Sequence, residues 1–164
     1  MAEITPTTEK HNQFEYHKYE VTDARQKYEV ASPNEGNQTV VAFYKIPPGK
    51  SNYPFHYHTT NEEVFYIISG SGALETHDTT HPIKAGDIIV CPAGKGGAHK
   101  ITNTSKTENL VYLDVDTNKT PDIAYYPHSN KLGMRAAGGI RTNYITDNTV
   151  AYYYNEPECA NAHS

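Results

Sequence analysis

The sequence predicts an all-β fold, built as a sandwich or a small barrel. From residue 39 onward, short runs rich in β-branched and aromatic residues follow one another. Glycine, proline, asparagine and aspartate separate these runs, and these residue types favour turns. No amphipathic helical stripe of ten residues interrupts the pattern. The predicted strands cover residues 39–46, 63–69, 73–77, 87–92, 98–102 and 109–116.

The chain has 164 residues, which fits one compact core rather than two. Residues 1–36 are polar and weakly patterned, which indicates an N-terminal arm with an edge strand. Residues 37–127 hold the predicted barrel, and residues 128–164 form a C-terminal extension that ends in a strand-like run and a polar tail. Three roles are open for this extension: it covers the mouth of the barrel, pairs with a second subunit, or wraps the outside.

The composition argues against nucleic acid and membrane partners. The formal net charge is −5, so the chain has no broad positive field to attract phosphate backbones or anionic lipids. The first residues contain no apolar stretch of a signal peptide, and no apolar run is long enough to span a bilayer. Cys91 and Cys159 lie far apart, which favours two reduced thiols. We therefore expect a cytoplasmic protein.

A group of histidine and glutamate residues predicts a metal site. His56 and His58 lie two residues apart, so their side chains share one face if the segment is extended. Pro54 favours that extended conformation in the residue before it. Glu63 begins the next predicted strand after a short turn, and His99 begins another one after the glycine-rich turn 94–97. We predict that these four side chains converge on one ion.

Three imidazoles and one carboxylate form a donor set of intermediate hardness. Such a set suits one divalent transition-metal ion, namely Mn, Fe, Co, Ni, Cu or Zn, without a strong choice among them. Four protein ligands leave two free positions on an octahedral ion, where water or an oxygen-rich substrate binds. The same four ligands close a tetrahedral zinc site.

The order and spacing of these residues resemble the two sequence motifs of the cupin superfamily. The matching positions are Gly49, His56, His58, Glu63 and Gly70 for the first motif, and Gly86, Pro92, Gly94, His99 and Asn103 for the second. The loops before His56 and His99 are longer than in the family pattern. The segment 121–133 also resembles a segment of poorly characterised prokaryotic single-domain cupins.

The resemblance implies a double-stranded β-helix, or jelly-roll barrel, with the metal ligands inside it. It also implies a homodimer. The family includes dioxygenases, decarboxylases, isomerases, lyases and non-catalytic binders, so the resemblance does not select one reaction. The resemblance also implies that His56, His58, Glu63 and His99 are the four metal ligands.

The sequence leaves two roles open for several other groups of residues. Phe65 and Ile67 alternate onto the same face as Glu63, where they form either the wall of a pocket or part of the core. The tyrosine runs 125–126 and 152–154 either hydrogen-bond a substrate or lie in a dimer interface. The turn 94–97 lacks the strand and helix that a phosphate-binding loop requires.

The functional hypothesis is a metal-binding, single-domain protein that acts on or binds a small oxygen-rich molecule, such as a hydroxy acid, a diketone or a sugar derivative. The alternative is a non-catalytic module that binds a sugar or another metabolite. The sequence assigns no general base, oxyanion donor or nucleophile. Whether the protein is an enzyme is therefore left open, as are its catalytic residues.

Overall fold

The computed structural model of the chain describes residues 15–18, 24–31 and 37–150. This part of the chain consists of strands connected by loops and short 3-10 turns. The strands are β1 (Glu15–Lys18), β2 (Ala24–Ala31), β3 (Thr39–Ile46), β4 (Tyr57–His58), β5 (Glu63–Ser69), β6 (Ser71–Thr76), β7 (Thr80–Lys84), β8 (Ile88–Cys91), β9 (His99–Thr102), β10 (Leu110–Thr117), β11 (Asp122–Tyr126), β12 (Lys131–Arg135) and β13 (Arg141–Ile145). Over the same residues, no helix is long and apolar enough to cross a membrane.

The strands form three antiparallel sheets. The first has the order β1-β2-β3-β10-β5-β8, and the second has the order β7-β6-β9. The buried apolar cluster draws side chains from both: Tyr44, Phe65 and Tyr112 come from the first sheet, while Ile83 and Ile101 come from the second. The core therefore lies between these two sheets, as in a double-stranded β-helix. The all-β prediction is confirmed.

The predicted strands agree with the observed ones where one face is buried and the other is not. The burial of β3 alternates strictly along its eight residues, and β5 and β10 show the same alternation over most of their length. The prediction misses β7, which is an edge strand with Pro82 at its centre and one buried residue. Such a strand carries little alternation, and proline within a sheet is confined mainly to edges.

The third sheet has the order β13-β12-β11-β4. It joins the C-terminal part of the chain to β4, the short strand that contains His58. All five residues of β12 are partly exposed, so this strand lacks the alternation by which a sequence pattern is recognised. The predicted boundary between residues 127 and 128 falls between two neighbouring strands of this sheet. The domain boundaries, including the one after residue 36, stay predictions.

Candidate metal centre

The structure places the four predicted ligands side by side. His56 and His99 are backbone partners: the amide of His56 donates to the carbonyl of His99 at 3.1 Å, and the reverse bond is 2.9 Å long. His58 lies in β4, and Glu63 is the first residue of β5. All but His58 are buried, and the His58 side chain is 23% exposed. The four ligands thus come from three backbone segments: residues 56–58, the start of β5 and the start of β9.

The ligand atoms converge on the carboxylate of Glu63. Its Oε2 lies 3.3 Å from Nε2 of His99 and 3.9 Å from Nε2 of His56, while its Oε1 lies 3.6 Å from Nε2 of His58. One ligand atom each from His56, His58 and Glu63 can be chosen so that all lie within 4.8 Å of one another. An ion bound between them would reach all three, and His99 borders the same group.

Hydrogen bonds orient two of the imidazoles with Nε2 toward the centre. Nδ1 of His56 donates to the carbonyl of Pro54, and Nδ1 of His99 donates to the carbonyl of Gly97, both at 2.9 Å. A carbonyl only accepts, so the proton of each neutral ring must be on Nδ1. The Nε2 atoms therefore carry lone pairs, which is the form in which histidine binds a metal.

His58 is held by a carboxylate that the sequence analysis did not identify. Nδ1 of His58 lies 2.5 Å from Oδ2 of Asp122 in β11, and the other oxygen of Asp122 accepts from the amide of Thr60 at 3.1 Å. Asp122 is 3% exposed. A buried carboxylate behind a histidine ligand fixes the orientation of the ring and raises its basicity. We assign Asp122 as a positioning residue for His58.

Burial and neighbouring charge change the proton affinities within the site. Burial, with the neighbouring imidazoles, lowers the pKa of His56 to about 3. Burial also lowers the pKa of His99 to about 4. Burial disfavours the charged form of His58 too, but the hydrogen bond to Asp122 and the charge of Glu63 outweigh it and raise its pKa. Burial raises the pKa of Glu63 to about 8.

Metal binding at pH 7 is expected to release about one proton, because Glu63, whose pKa is raised to about 8, is protonated in the metal-free site and must ionise to bind. His56 and His99 are already neutral and contribute none. The affinity for metal should therefore increase as the pH rises toward 8. Calorimetric titration with Co²⁺ in two buffers of different ionisation enthalpy measures this release. Heats that do not depend on the buffer would contradict the assignment.

The glycine-rich turn 94–97 ties two ligand segments together. The amide of Gly94 donates to the carbonyl of His58 at 2.7 Å, and the carbonyl of Gly97 accepts from the His99 ring. Residues Lys95–Gly97 form a 3-10 turn in which Gly97 is buried. A Cβ atom on Gly97 would lie 1.8 Å from the carbonyl oxygen of Pro92, so only glycine fits there. This turn positions the site, and it leads into β9 rather than into the helix that a phosphate-binding loop requires.

A cavity of about 360 Å³ opens beside the ligands. Its volume is that of a small-molecule site. His56, His58 and Glu63 line it, together with polar side chains from both ends of the chain. The other lining residues are Lys27, Val40, Tyr44, Tyr53, Asp114, Asp116, Asp122, Ala124, Tyr126, Gly133, Met134, Arg135, Arg141, Thr142 and Asn143. Strands β12 and β13, which belong to the predicted C-terminal extension, therefore contribute a wall of the cavity.

Two further carboxyl groups face this cavity from β10. Asp114 is 4% exposed, and its Oδ1 has no hydrogen-bond partner among the described residues. Burial raises the pKa of Asp114 well above its usual range, and the neighbouring Asp116 and Glu63 reinforce the shift. Burial also raises the pKa of Asp116, although Lys27 and Arg135 oppose the change. The cavity thus combines acidic and basic groups beside the metal ligands.

The aromatic residues considered in the sequence analysis have distinct places. Phe65 and Ile67 belong to the buried core, and neither lines the cavity of about 360 Å³ beside the ligands. Phe65 does contact the site from the core side, with its ring centroid 5.2 Å from that of His99. Tyr126 lines the cavity and stacks on His56 at 5.5 Å. Residues 152–154 lie outside the described residues.

Comparison with known proteins agrees with the fold. The family described as Cupin domain matches residues 42–116. The crystal structure of a predicted oxalate decarboxylase from Thermotoga maritima is 31% identical, with a TM-score of 0.50 over 57% of this chain and 80% of that one. The chain belongs to the cupin superfamily. Apart from β4, every strand within the matched residues belongs to one of the two facing sheets.

Two other relatives of this cupin differ in what their names describe. An oxalate-binding protein from Thermotoga maritima is 39% identical over 71 residues, which is 43% of this chain and 55% of that protein. The cupin thus matches about half the length of this relative. The structure of a putative sugar phosphate isomerase from Acidithiobacillus ferrooxidans is 25% identical, with a TM-score of 0.74 over 85% of this chain and 88% of that one.

Proposed function

We propose that this cupin binds one divalent transition-metal ion through His56, His58, Glu63 and His99, and that the ion chelates a small oxygen-rich molecule in the adjoining cavity. The observation that carries the proposal is the direction of the ring nitrogens. His56 and His99 donate from Nδ1 to carbonyls, so both turn an Nε2 lone pair toward the Glu63 carboxylate.

A metal-free site leaves this arrangement poorly satisfied. The Nε2 atoms of three imidazoles face two carboxylate oxygens at 3.3 to 3.9 Å, which is longer than most hydrogen bonds. A single proton on Glu63 can be donated to one of the three Nε2 atoms. The lone pairs of the other Nε2 atoms are then left without a donor. Each buried polar group without a partner costs about 1–3 kcal/mol. One cation at the centre satisfies all of them at once.

The bound ion would supply Lewis acidity toward the oxygen atoms of its ligand. The residues of this chain hold and orient the ion: carbonyls and Asp122 fix the imidazole rings, and the core excludes water from the side of Phe65. The cavity accepts a molecule of a few carbon atoms. The named relatives bind oxalate or carry the names of a decarboxylase and a sugar phosphate isomerase, which are activities toward oxygen-rich anions.

Metal-dependent binding of a chelating hydroxy acid tests the proposal. We expect Co²⁺-loaded protein to bind D-glycerate in a calorimetric titration, and we expect metal-free protein to show no binding. Glu63→Gln should weaken Co²⁺ binding by at least about tenfold, because it removes the anionic ligand. His77→Ala is the control, since His77 is an exposed histidine outside the site. Equal binding of D-glycerate by metal-free and loaded protein would contradict the proposal.

The second candidate is a non-catalytic binding module, which the description of one relative as an oxalate-binding protein favours. It has the same metal site and the same chelated ligand as an enzyme would have, but it does not convert the ligand to a product. Product formation from a ligand that binds only the metal-loaded protein would decide for an enzyme. The homodimer, the cytoplasmic location and the identity of the metal stay predictions.

A further inference from the structure

Two arginines lie on the wall of the cavity, in the same sheet as the metal ligand His58. Arg135 in β12 and Arg141 in β13 are cross-strand partners, and Arg135 is also the partner of Asp122 in β11. Partners in an antiparallel pair place their side chains on the same face of the sheet. Both arginines line the 360 Å³ cavity that also contains His56 and Glu63. The wall therefore presents two guanidinium groups to the space beside the proposed metal site.

These guanidinium groups have few partners of their own. Among the described residues, neither arginine takes part in an ion pair, and the one hydrogen bond of Arg135 is a long contact of 3.5 Å with the carbonyl of Lys119. Nε of Arg135 is buried and has no hydrogen-bond partner within the described ranges. Like charges directly opposite each other on neighbouring strands repel, so this placement of two arginines destabilises the fold. An anion between them would offset the repulsion.

The carboxyl groups nearby do not neutralise both arginines. Asp122 is engaged by the imidazole of His58 and the amide of Thr60. The charges of Lys27 and Arg135 both act to lower the pKa of Asp116, so two cations share this one carboxyl group. No carboxylate within the described part of the chain pairs with Arg141, which is exposed and lines the cavity. Residues 131–145, which carry both arginines, contain no aspartate or glutamate of their own, so the two guanidinium groups are available to an anion in the cavity.

We propose that Arg135 and Arg141 bind a second anionic group, a carboxylate or a phosphate, on the molecule whose other end the metal chelates. The inference rests on the proposed function and defines its ligand class: a small hydroxy or oxo acid with a distal anion. The forked geometry of guanidinium suits both carboxylate and phosphate, because it offers two parallel donors to two oxygens. It also gives the C-terminal strands a part in ligand selection.

Three probes with the same chelating end and different distal groups test the inference. D-glycerate ends in a hydroxyl, D-malate in a carboxylate and 3-phospho-D-glycerate in a phosphate. Charge-assisted hydrogen bonds from guanidinium are expected to tighten the binding of at least one anionic probe about tenfold to a hundredfold relative to D-glycerate. The measurement is calorimetric titration of Co²⁺-loaded protein. The two anionic probes distinguish a carboxylate subsite from a phosphate subsite.

Arg141→Gln and Arg135→Gln are expected to reduce the affinity for the preferred anionic probe to that for D-glycerate, with the Co²⁺ affinity and D-glycerate binding retained. Arg141 is exposed, so its variant tests the inference even if Arg135→Gln fails to fold. Lys84→Gln, an exposed charge change on β7, is the control and should leave all three affinities unchanged.

The outcomes separate this inference from the proposed function. A wild-type protein that binds Co²⁺ and D-glycerate, but binds the anionic probes no more tightly, overturns the arginine subsite alone. Arginine variants that lose D-glycerate and the anionic probes to the same extent overturn it as well. A wild-type protein that binds no Co²⁺ overturns the proposed function and the subsite with it.

Discussion

A Gly97→Ala variant is expected to lose on the order of 3 kcal/mol of folding stability. The added methyl group would lie 1.8 Å from the carbonyl oxygen of Pro92 and 2.9 Å from its carbon, and both are backbone atoms. The turn must move to relieve this overlap. Its movement displaces the Gly97 carbonyl that orients the His99 ring, so the affinity for Co²⁺ should also decrease.

Gly96→Ala is a matched control within the same turn. No heavy atom lies within 4 Å of a Cβ at that position, and its stability should change by less than about 1 kcal/mol. Urea denaturation of the metal-free proteins measures the effect without a contribution from bound metal. Equal stabilities of the two variants would show that the turn does not pack against Pro92 as described.

An Asp122→Asn variant is expected to weaken Co²⁺ binding about tenfold to a hundredfold, the range observed when partners behind a metal ligand are replaced. Asparagine keeps an oxygen that accepts from Nδ1 of His58 but removes the charge that increases the basicity of the ring. Asp78→Asn is the matched control, because Asp78 contacts Nδ1 of the exposed His77 at 3.0 Å, away from the site. Equal Co²⁺ affinities of the two variants would contradict the positioning role.

The same Asp122 variant has a pH signature in the metal-free protein. The hydrogen bond to His58 helps to lower the pKa of Asp122 to about 2 against the opposing effect of burial, so its stabilisation is present above the unfolded value of 3.8 and is lost as the pH falls toward 2. The raised pKa of His58 stabilises the fold below 6.5, and this contribution is lost as the pH rises through the folded pKa. The stability difference between wild type and Asp122→Asn should therefore be largest between pH 4 and 6.5. A difference that is constant with pH would contradict the ion pair.

The closeness of His56, His58 and Glu63 was predictable because their relation is local. His56 and His58 share a face by strand alternation, and Glu63 follows after a short turn. His99 is distant in sequence, and the resemblance to the cupin motifs made its assignment specific. Strands β3, β5 and β10 were predictable for a similar reason, since each buries one face against a single core.

The features that escaped prediction depend on distant pairing. Asp122 reaches His58 because β11 pairs with β4, and no spacing rule connects residues separated by more than sixty positions. The resemblance of segment 121–133 to other cupins covered Asp122 but assigned it no role. Arg135 and Arg141 meet through the register of β12 and β13, whose burial shows little alternation. Sequence patterning detects burial, and these strands lie at the margin of the core.

The most direct test of the account is the metal content of the protein itself. Elemental analysis of untagged protein, expressed in medium with balanced trace metals, should find close to one equivalent of a divalent transition metal. His58→Ala should lose this metal, because His58 contributes one of the three closely grouped ligand atoms. Wild-type protein that contains no metal, and takes up none after reconstitution with Mn, Fe, Co, Ni, Cu or Zn, would contradict the metal centre.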